Sequence, residues 1–389
     1  MLEGSGRQRA GNRGCAIAGQ ANLRVAVAGA GAFGRNHLRV YRELETAGLG
    51  VALVAAVEPD GARAAETADK YAIPVFATVD DLLTADLRLD AATVAVPTVH
   101  HHAVAAQMLD AGIDLLVEKP LATNLTEADD LIERAEKGTR ILQPGHLERF
   151  NPAVLAVEQK LRRPMFFESH RLSIFGPRAL DVDVVLDLMI HDLDIVLCFA
   201  NSEVREVRAV GLPILSPKVD IANVRVEFES GCVANFTASR VSTERVRKLR
   251  FFEPRQYVSI DYARQDLLVI RMDTCGVANL PPEIQVAIAA GKADPALLAK
   301  LATAAGAAGA AGLGSGPAPG LSFVKPEVTP GEPLRLEILS FLDAVRTRRA
   351  PHVTARQGRN ALALALEIQA TMVAHAQRAG LGDFFSPGV

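Results

Sequence analysis

Hydrophobic and polar positions follow two different periods in the first part of the chain. Short apolar runs, which predict buried strands, alternate with segments whose apolar residues recur every three or four positions, which predicts amphipathic helices. The predicted strands are RVAVAG, ALVAAVE, AATVAVP, DLLVEK and RILQPGH. The predicted helices cover about residues 33–47, 61–71, 100–111 and 126–137. This order predicts an α/β domain over residues 23–145, with a doubly wound parallel sheet.

The pattern changes after Pro152. A helix over 153–162 and a strand over 165–173 lead into a long apolar helix, DVVLDLMIHDLDIVLCFA. The following apolar segments are predicted strands with no helices between them: EVRAVGLPI, NVRVEFES, CVANFTASRV, KLRFFEP, QYVSIDY and LLVIRM. We therefore predict that residues 146–389 form an α+β domain with a mostly antiparallel, open-faced sheet. Two C-terminal helices are predicted within 334–375.

Two segments differ in composition from the rest. Residues 1–22 are rich in Arg and Gly and lack the apolar region of a signal peptide, so we predict a disordered extension. Residues 277–333 include the stretch KLATAAGAAGAAGLGSGPAPG, which predicts a low-complexity insertion. Because no stretch offers about 18 uninterrupted apolar residues, the sequence predicts no membrane span.

Charge and cysteine content narrow the classes of partner. The net charge of -3 gives no general reason to expect nucleic acid or an anionic membrane. The basic run at 240–255 alternates with strand-forming apolar residues, which favours a solvated sheet edge over a nucleic-acid site. The four cysteines lack metal-binding spacing, so we expect free thiols, no metal site and a cytoplasmic protein: Cys15, Cys198, Cys232 and Cys275.

A glycine-rich segment follows the first predicted strand and opens a helix. Its pattern, Gly29-Ala-Gly31-Ala32-Phe33-Gly34, predicts a dinucleotide-binding loop of the Rossmann type. Gly29 would allow the tight turn, Gly31 the approach of a pyrophosphate, and Gly34 close helix packing. A glycine-rich turn without a ligand is the alternative interpretation.

Glu58 ends the second predicted strand. A carboxylate at this position would accept hydrogen bonds from ribose hydroxyls and repel a 2′-phosphate, so the sequence favours NAD over NADP. The alternative is an exposed glutamate at a strand end, with no part in cofactor binding.

Lys119 follows the apolar run of the fourth predicted strand, in the segment DLLVEKPLA. The carboxyl ends of parallel strands are where such folds bind ligands, so its ammonium would lie at the crevice. There it could donate to a substrate hydroxyl and stabilise the developing alkoxide. Considered in isolation, the lysine could equally be a solvated surface group.

Asp187 and His191 are four residues apart in the predicted helix DLMIHDLD and would share one helix face. His191 could take the hydroxyl proton while Asp187 fixes its tautomer. The alternative is a histidine satisfied within an apolar core.

Three segments together resemble the Gfo/Idh/MocA oxidoreductases, which are NAD(P)-dependent enzymes acting mostly on sugars and polyols. The segments are GAGAFGRNH, VPTVHHHAVAAQMLDAGIDLLVEKPLA and DLMIHDLD. The resemblance implies that Lys119, His191 and Asp187 form the catalytic group. Asp183 and the Ala/Gly-rich insertion depart from the family pattern, since many members have glycine at the position of Asp183.

The same resemblance implies further cofactor and assembly contacts. Pro97, Thr98 and His101 match the family's cofactor-side segment, and Glu118 of the EKP motif is assigned to the same side. Family members commonly assemble through the open face of the C-terminal sheet, so the resemblance implies a homodimer or homotetramer.

The segment GHLERFNP resembles the branch of the family that acts on nucleotide sugars. Arg149 could contact a phosphate or carboxylate and Asn151 could contact hydroxyls, although a structural domain junction is an equal alternative. The leading hypothesis is NAD-dependent oxidation at C3 of UDP-N-acetylglucosamine on a lipid A or surface-glycan route. The alternatives are a polyol or inositol dehydrogenase and a non-catalytic sensor of NAD or sugar.

Overall fold

The computed structural model describes residues 22–158, 160–176, 182–272 and 321–381. The predicted disordered extension lies outside the described residues except for its last position. Most of the predicted insertion at 277–333 lies outside them as well.

Six parallel strands form the sheet of the N-terminal domain, in the order β3-β2-β1-β4-β5-β6. The strands are β1 (Leu23–Ala28), β2 (Val51–Val57), β3 (Val75–Phe76), β4 (Ala91–Val94), β5 (Asp114–Glu118) and β6 (Leu142–Gly145). The helices are α1 (Gly34–Thr46), α2 (Gly61–Tyr71), α3 (Val79–Thr84), α4 (His101–Asp110) and α5 (Leu125–Gly138). This architecture confirms the predicted doubly wound parallel sheet, to which β3 and α3 are short additions.

Each face of this sheet has its own apolar cluster. Leu38 and Tyr41 of α1 pack on one face together with Phe341, which belongs to a C-terminal helix. Met108 of α4 and Leu131 of α5 pack on the other face. The almost continuous apolar runs of β1 and β5 follow from this burial on both faces.

Eight strands form the sheet of the C-terminal domain, in the order β14-β13-β12-β11-β7-β10-β9-β8. They are β7 (Phe166–Leu172), β8 (Val204–Leu212), β9 (Ile221–Phe228), β10 (Val233–Ser239), β11 (Val246–Glu253), β12 (Gln256–Asp261), β13 (Asp266–Met272) and β14 (Leu321–Val324). All neighbours run antiparallel except the parallel pair β7 and β10, which confirms the predicted mostly antiparallel sheet. The edge strand β14 lies within the predicted insertion.

Helices cover one face of the second sheet. They are α6 (Pro152–Glu158), α7 (Ile190–Ala200) and α9 (Ala355–Arg378), whereas α8 (Pro333–Thr347) packs on the first sheet. Phe236 and Phe251 of the sheet pack in one core with Val196 of α7 and Ile368 of α9. In β9, buried and more exposed residues alternate, so the opposite face of the sheet is open.

The predicted long helix before Asn201 has two parts. A π-helical turn, Val185–Met189, leads directly into α7. Asp183 precedes this turn, and its Oδ1 accepts hydrogen bonds from the amides of Val185 (2.7 Å) and Leu186 (3.1 Å). At this departure from the family pattern, the aspartate therefore caps the start of the turn. None of the described helices is both long and apolar enough to cross a membrane.

Candidate active site

The glycine-rich loop between β1 and α1 has the backbone that its sequence predicts. Gly29 has a φ of +94°, and a Cβ there would lie 2.6 Å from the Ala95 carbonyl oxygen. A Cβ on Gly34 would lie 1.8 Å from the Gly29 carbonyl oxygen. A Cβ on Gly31, in contrast, would meet nothing within 4 Å.

The N-terminal end of α1 is open to a ligand. Phe33 is at the N-cap and supplies no side-chain hydrogen bond, and the first turn contains no acidic residue. The free space beside Gly31 and the uncapped amides form a cradle suited to an anion such as a pyrophosphate. The loop therefore fits the predicted dinucleotide, and contacts of Gly31, Ala32 and Phe33 with it stay a prediction.

Glu58 lies at the carboxyl end of β2, beside this cradle. One carboxylate oxygen accepts from the Ala30 amide (2.9 Å), and the other accepts from the Asp60 amide and the Arg63 guanidinium, each at 3.0 Å. Burial alone would raise the pKa of Glu58, but these hydrogen bonds lower it below its usual value. The ionised carboxylate is suited to ribose hydroxyls and opposes a 2′-phosphate.

The segment after β4 contains the other predicted cofactor residues. Pro97 is exposed and Thr98 is half-buried. His101 is buried, with Nδ1 2.8 Å from the Pro120 carbonyl oxygen and Nε2 2.9 Å from that of Val96. Burial lowers the pKa of His101 although both carbonyls oppose the shift. These contacts suit His101 to positioning the turn after Lys119, and its contact with the cofactor stays a prediction.

Glu118 is buried at the end of β5 and contacts α1. Its Oε1 lies 2.8 Å from Nε2 of His37, which is fully buried. Burial favours a higher pKa for Glu118, but the bond with His37 and the charge of Lys119 lower it. The Glu118 carboxylate therefore connects α1, the helix that follows the glycine-rich loop, to β5, the strand that ends just before Lys119. These contacts suit Glu118 to a positioning role, and its direct contact with the cofactor stays a prediction.

Lys119 reaches from the N-terminal domain to the π-helical turn. Its Nζ donates to the Asp187 carbonyl oxygen at 2.8 Å and lies 3.8 Å from the Asp187 carboxylate. The side chain is only 12% exposed. Burial lowers the pKa of Lys119, while the charges of Asp187 and Glu118 oppose that shift. The structure thus brings two of the three predicted catalytic residues into contact across the domain boundary.

His191 is the second residue of α7, which begins directly after the π-helical turn. It is 9% exposed, and its Nδ1 is buried without a hydrogen-bond partner. Burial, together with the charges of Lys119 and Arg171, lowers the pKa of His191 well below its usual value. The imidazole is therefore neutral near pH 7 and can accept a proton.

The predicted pairing of Asp187 with His191 requires a correction. Asp187 lies in the π-helical turn, where the Ile190 amide donates to the Val185 carbonyl oxygen, five residues back in place of the four of an α-helix. The four-residue spacing therefore does not place the two side chains as it would in an α-helix. The Asp187 carboxylate lies beside Lys119, and the imidazole Nδ1 has no partner.

Arg149 and Asn151 also require a correction. Both are 2% exposed. One Arg149 Nη is 3.2 Å from a Glu158 carboxylate oxygen, and the Asn151 side chain donates to the Tyr262 carbonyl oxygen at 3.0 Å. These buried contacts favour the domain-junction interpretation of GHLERFNP, so we do not assign either residue to the substrate.

Arg171, which the motif analysis missed, is a buried cation next to the site. Its guanidinium donates twice to Asp192, at 2.7 and 3.0 Å, and once to Glu148, at 3.0 Å. It also lies over the Tyr262 ring, 5.0 Å from the centroid. The sequence could have indicated this burial, because alternate residues of a strand share one face. In β7, Phe167, Ser169 and Arg171 lie on the same buried face.

Metal chemistry has no candidate site in the part of the chain that the structure describes. No group of three or more His, Cys, Asp or Glu side chains there could hold a metal ion. Cys198 and Cys232 are free thiols. Cys15 and Cys275 lie outside the described residues.

Two sequence-family profiles match consecutive parts of the chain. Residues 23–146 match the profile GFO_IDH_MocA, an oxidoreductase family with an NAD-binding Rossmann fold. Residues 153–255 match the GFO/IDH/MocA C-terminal domain. The change from one profile to the other falls between the parallel and the antiparallel sheet.

Individual proteins are similar over different lengths. UDP-N-acetylglucosamine 3-dehydrogenase of Acidithiobacillus ferrooxidans is 31% identical over 358 residues, covering 92% of this chain and 99% of that enzyme. A solved structure of this A. ferrooxidans enzyme, GnnA, is 31% identical and has a TM-score of 0.76. The match covers 92% of the chain described here and 100% of the chain of GnnA. An inositol 2-dehydrogenase of Acidothermus cellulolyticus is 31% identical over 197 residues, which is 49% of this chain and 57% of that enzyme.

Proposed function

We propose, from the premise that the chain belongs to the GFO/IDH/MocA oxidoreductase family, that it oxidises a secondary alcohol of a sugar with NAD. The substrate that we propose is UDP-N-acetylglucosamine, oxidised at C3. The similarity to the A. ferrooxidans 3-dehydrogenase, over nearly the full length of both proteins, supports this choice of sugar. The observation that carries alcohol oxidation is the contact between Lys119 and Asp187 across the domain boundary.

Oxidation removes a hydride from carbon and a proton from the hydroxyl of the same alcohol. NAD, when bound, supplies the hydride acceptor. The Lys119 ammonium donates to the alcohol oxygen and stabilises its developing negative charge. Asp187 lies beside this ammonium and supports its charged form. His191 is neutral and accepts the hydroxyl proton.

Arg247 replaces Arg149 as our candidate contact for the nucleotide diphosphate. It is exposed on β11, directly opposite Arg171 in the register with β7. Its charge is close enough to contribute to the lowered pKa of His191. A guanidinium that is exposed beside the proton acceptor is available to a phosphate, whereas the buried Arg149 is not.

A substrate screen tests the proposed activity. UDP-sugars and free polyols are incubated with NAD, and formation of the reduced cofactor is followed by absorbance. We expect UDP-N-acetylglucosamine to give the highest kcat/KM. Arg247→Ala should raise KM for this substrate and leave the response to free sugars unchanged.

Two other outcomes of the screen would contradict the proposed substrate. Highest activity with myo-inositol would favour the polyol alternative, to which the similarity with inositol 2-dehydrogenase points. Binding of NAD or sugar without turnover of any alcohol would favour a sensor. We disfavour the sensor because Lys119, Asp187 and His191 are all present near the boundary of the two domains.

Cofactor preference tests the role of Glu58. NAD should bind more tightly than NADP, and Glu58→Ala should reduce the difference in affinity between the two cofactors. Hydrogen bonds to charged groups contribute about 1.5–3 kcal/mol, so NAD affinity should fall about 10- to 100-fold. Fluorescence titration of both reduced cofactors measures the effect.

Matched variants separate the ribose contact from the shape of the loop. Glu58→Gln retains an acceptor for the Ala30 amide but removes the charge, so it should gain affinity for NADP. Glu66→Ala, on the exposed side of α2, should change neither affinity. A wild-type preference for NADP would contradict the assignment.

The chain's assembly and pathway are part of the same proposal. We propose a homodimer or homotetramer formed through the open face of the second sheet, where NVRVEFES and CVANFTAS form β9 and β10. Analytical ultracentrifugation tests the subunit count.

The product of the proposed reaction suggests its place in a reaction sequence. A 3-ketone can undergo transamination, so we place the reaction before an aminotransferase step on a lipid A or surface-glycan route in the cytoplasm.

A further inference from the structure

Several buried polar side chains near Lys119 lack hydrogen-bond partners. Glu337 on α8 is fully buried, and neither of its carboxylate oxygens has a partner. His146 is 1% exposed, and both of its ring nitrogens are unpartnered. The Asp194 Oδ2 and two nitrogens of Arg149 are also buried without partners. An unmade hydrogen bond of a buried group costs about 1–3 kcal/mol, so this concentration indicates bound water.

The spacing of these groups fits water-mediated contacts. The His146 Nδ1 is 3.9 Å from the Asp194 Oδ2, and an Arg149 Nη is 3.7 Å from the same oxygen. Both separations exceed direct hydrogen bonds, and polar contacts of this length are commonly bridged by a water. Burial raises the pKa of Glu337 well above its usual value, as do the charges of Glu118 and Asp194. These effects favour the protonated form of Glu337, which can donate as well as accept a hydrogen bond.

His191 and Asp194 are three residues apart in α7 and so share one helix face, and the His146 Nδ1 lies 3.9 Å from the Asp194 Oδ2. Burial lowers the pKa of His146, and the charges of Arg149 and Lys119 lower it further, while those of Asp194 and Glu118 oppose the shift. The charge of His146 in turn contributes to the lowered pKa of His191. His146 is thus an electrostatic neighbour of both Lys119 and His191.

Asp194 connects this cluster to a cavity that opens to solvent. The cavity has a volume of about 670 Å³ and lies between α7 and α9, with Cys198, Asn201, Gln357 and Asn360 among its lining residues. Asp194, which is 2% exposed, lines its inner end. Solvent in this cavity can therefore reach the cluster through Asp194.

We propose that His146 and Asp194, with bound water, form a proton-release path from His191 to the cavity between α7 and α9. The inference rests on the proposed function, since alcohol oxidation by NAD yields a ketone, the reduced cofactor and one proton. The O–H bond of the alcohol breaks, and its proton goes to His191 while the hydride goes to the cofactor. His191 then passes the proton from its buried Nδ1 through water to His146, and Asp194 passes it to solvent in the cavity.

His146→Ala with imidazole rescue tests the path. We expect turnover to fall by about tenfold or more, below the full effect of a lost acid–base group because water substitutes in part. KM for both substrates should stay near wild type. Imidazole can enter through the cavity and should restore most of the rate, which it would not do for a purely structural defect. A stopped-flow pH indicator should show proton release slowed to the same extent as cofactor reduction.

Controls decide between a proton path and a structural role. His375→Ala, on the distant part of α9, should show wild-type turnover with or without imidazole. His146→Gln keeps a polar side chain of similar length but cannot titrate, and should be slow without rescue. Wild-type rates for both His146 variants, or a loss for His146→Ala that imidazole does not restore, would overturn the proposal.

A crystal structure of the protein without ligands provides a test that does not depend on activity. We expect ordered water between His146 and Asp194 and beside Glu337. A dry cluster with direct hydrogen bonds between these side chains would overturn the path. Failure of the proposed function appears differently, as a wild-type protein that oxidises no alcohol whether or not the cluster is hydrated.

Discussion

Lys119→Met is expected to lower turnover by roughly 10²- to 10⁴-fold, the range for losing a positioned proton-transfer group, while NAD affinity stays close to wild type. The ammonium lies at the end of β5 and contacts the π-helical turn, so it acts where the two domains meet. Methionine has a similar length and fills the same buried space, but it cannot donate to an alkoxide. Steady-state kinetics at saturating substrate measure the loss, and cofactor titration measures NAD affinity.

Companion variants separate chemistry from folding. His191→Ala should lower turnover by a similar factor and retain the fold, because its Nδ1 has no partner to lose. Lys137→Met, on the exposed end of α5, should leave kinetics unchanged. Retention by Lys119→Met of more than about a tenth of wild-type turnover, well short of the expected loss, would show that the lysine is structural.

Most of the fold could be predicted from periodicity because each sheet has a simple burial pattern. The strands buried on both faces, such as β1, are almost continuously apolar, and those with one open face, such as β9, alternate. The π-helical turn could not be predicted, since its apolar residues also fit a continuous α-helix. Strand β14 was missed because it follows a low-complexity segment, and its pairing with β13 is a long-range contact.

Part of the site could be predicted because topology fixes it. The end of a parallel strand lies at the ligand-binding edge of the sheet, so Lys119 could be placed from sequence. Residue type alone could not place Arg149, whose burial depends on Glu158 and Asp194 from other elements. The pairing of Asp187 failed for a local reason, because the helix spacing changes there.

The buried charges of the junction connect the fold to the site. Arg171 is in β7, Asp192 in α7 and Glu148 in the 3₁₀ turn that follows the first sheet. Their ion pairs therefore join the end of the N-terminal domain to the helix that carries His191. The same guanidinium contributes to the lowered pKa of His191, which keeps that imidazole neutral.

Control of stability at this junction is best tested by comparing single and compensated variants. The triple variant should recover most of the free energy of unfolding that Arg171→Met alone loses, because a buried ion cluster can be replaced by apolar groups at little cost. It combines Arg171→Met with Asp192→Leu and Glu148→Gln. Glutamine at 148 keeps an acceptor for the Asn151 side chain, which donates to Glu148 at 3.3 Å. Arg208→Met removes an exposed pair with Glu206 and should cost at most about 1 kcal/mol.

Arg171→Met alone is expected to lower the free energy of unfolding by about 3–5 kcal/mol, the cost of removing one partner from a buried ion pair. Burial disfavours the guanidinium charge, yet Asp192 and Glu148 raise the pKa of Arg171 well above its usual value. Without it, two carboxylates that are 2% and 6% exposed lose their counter-ion. Because the chain has no tryptophan, urea unfolding is followed by circular dichroism. A midpoint for Arg171→Met that falls no further than that of Arg208→Met would show that the buried cation contributes nothing to stability at this junction.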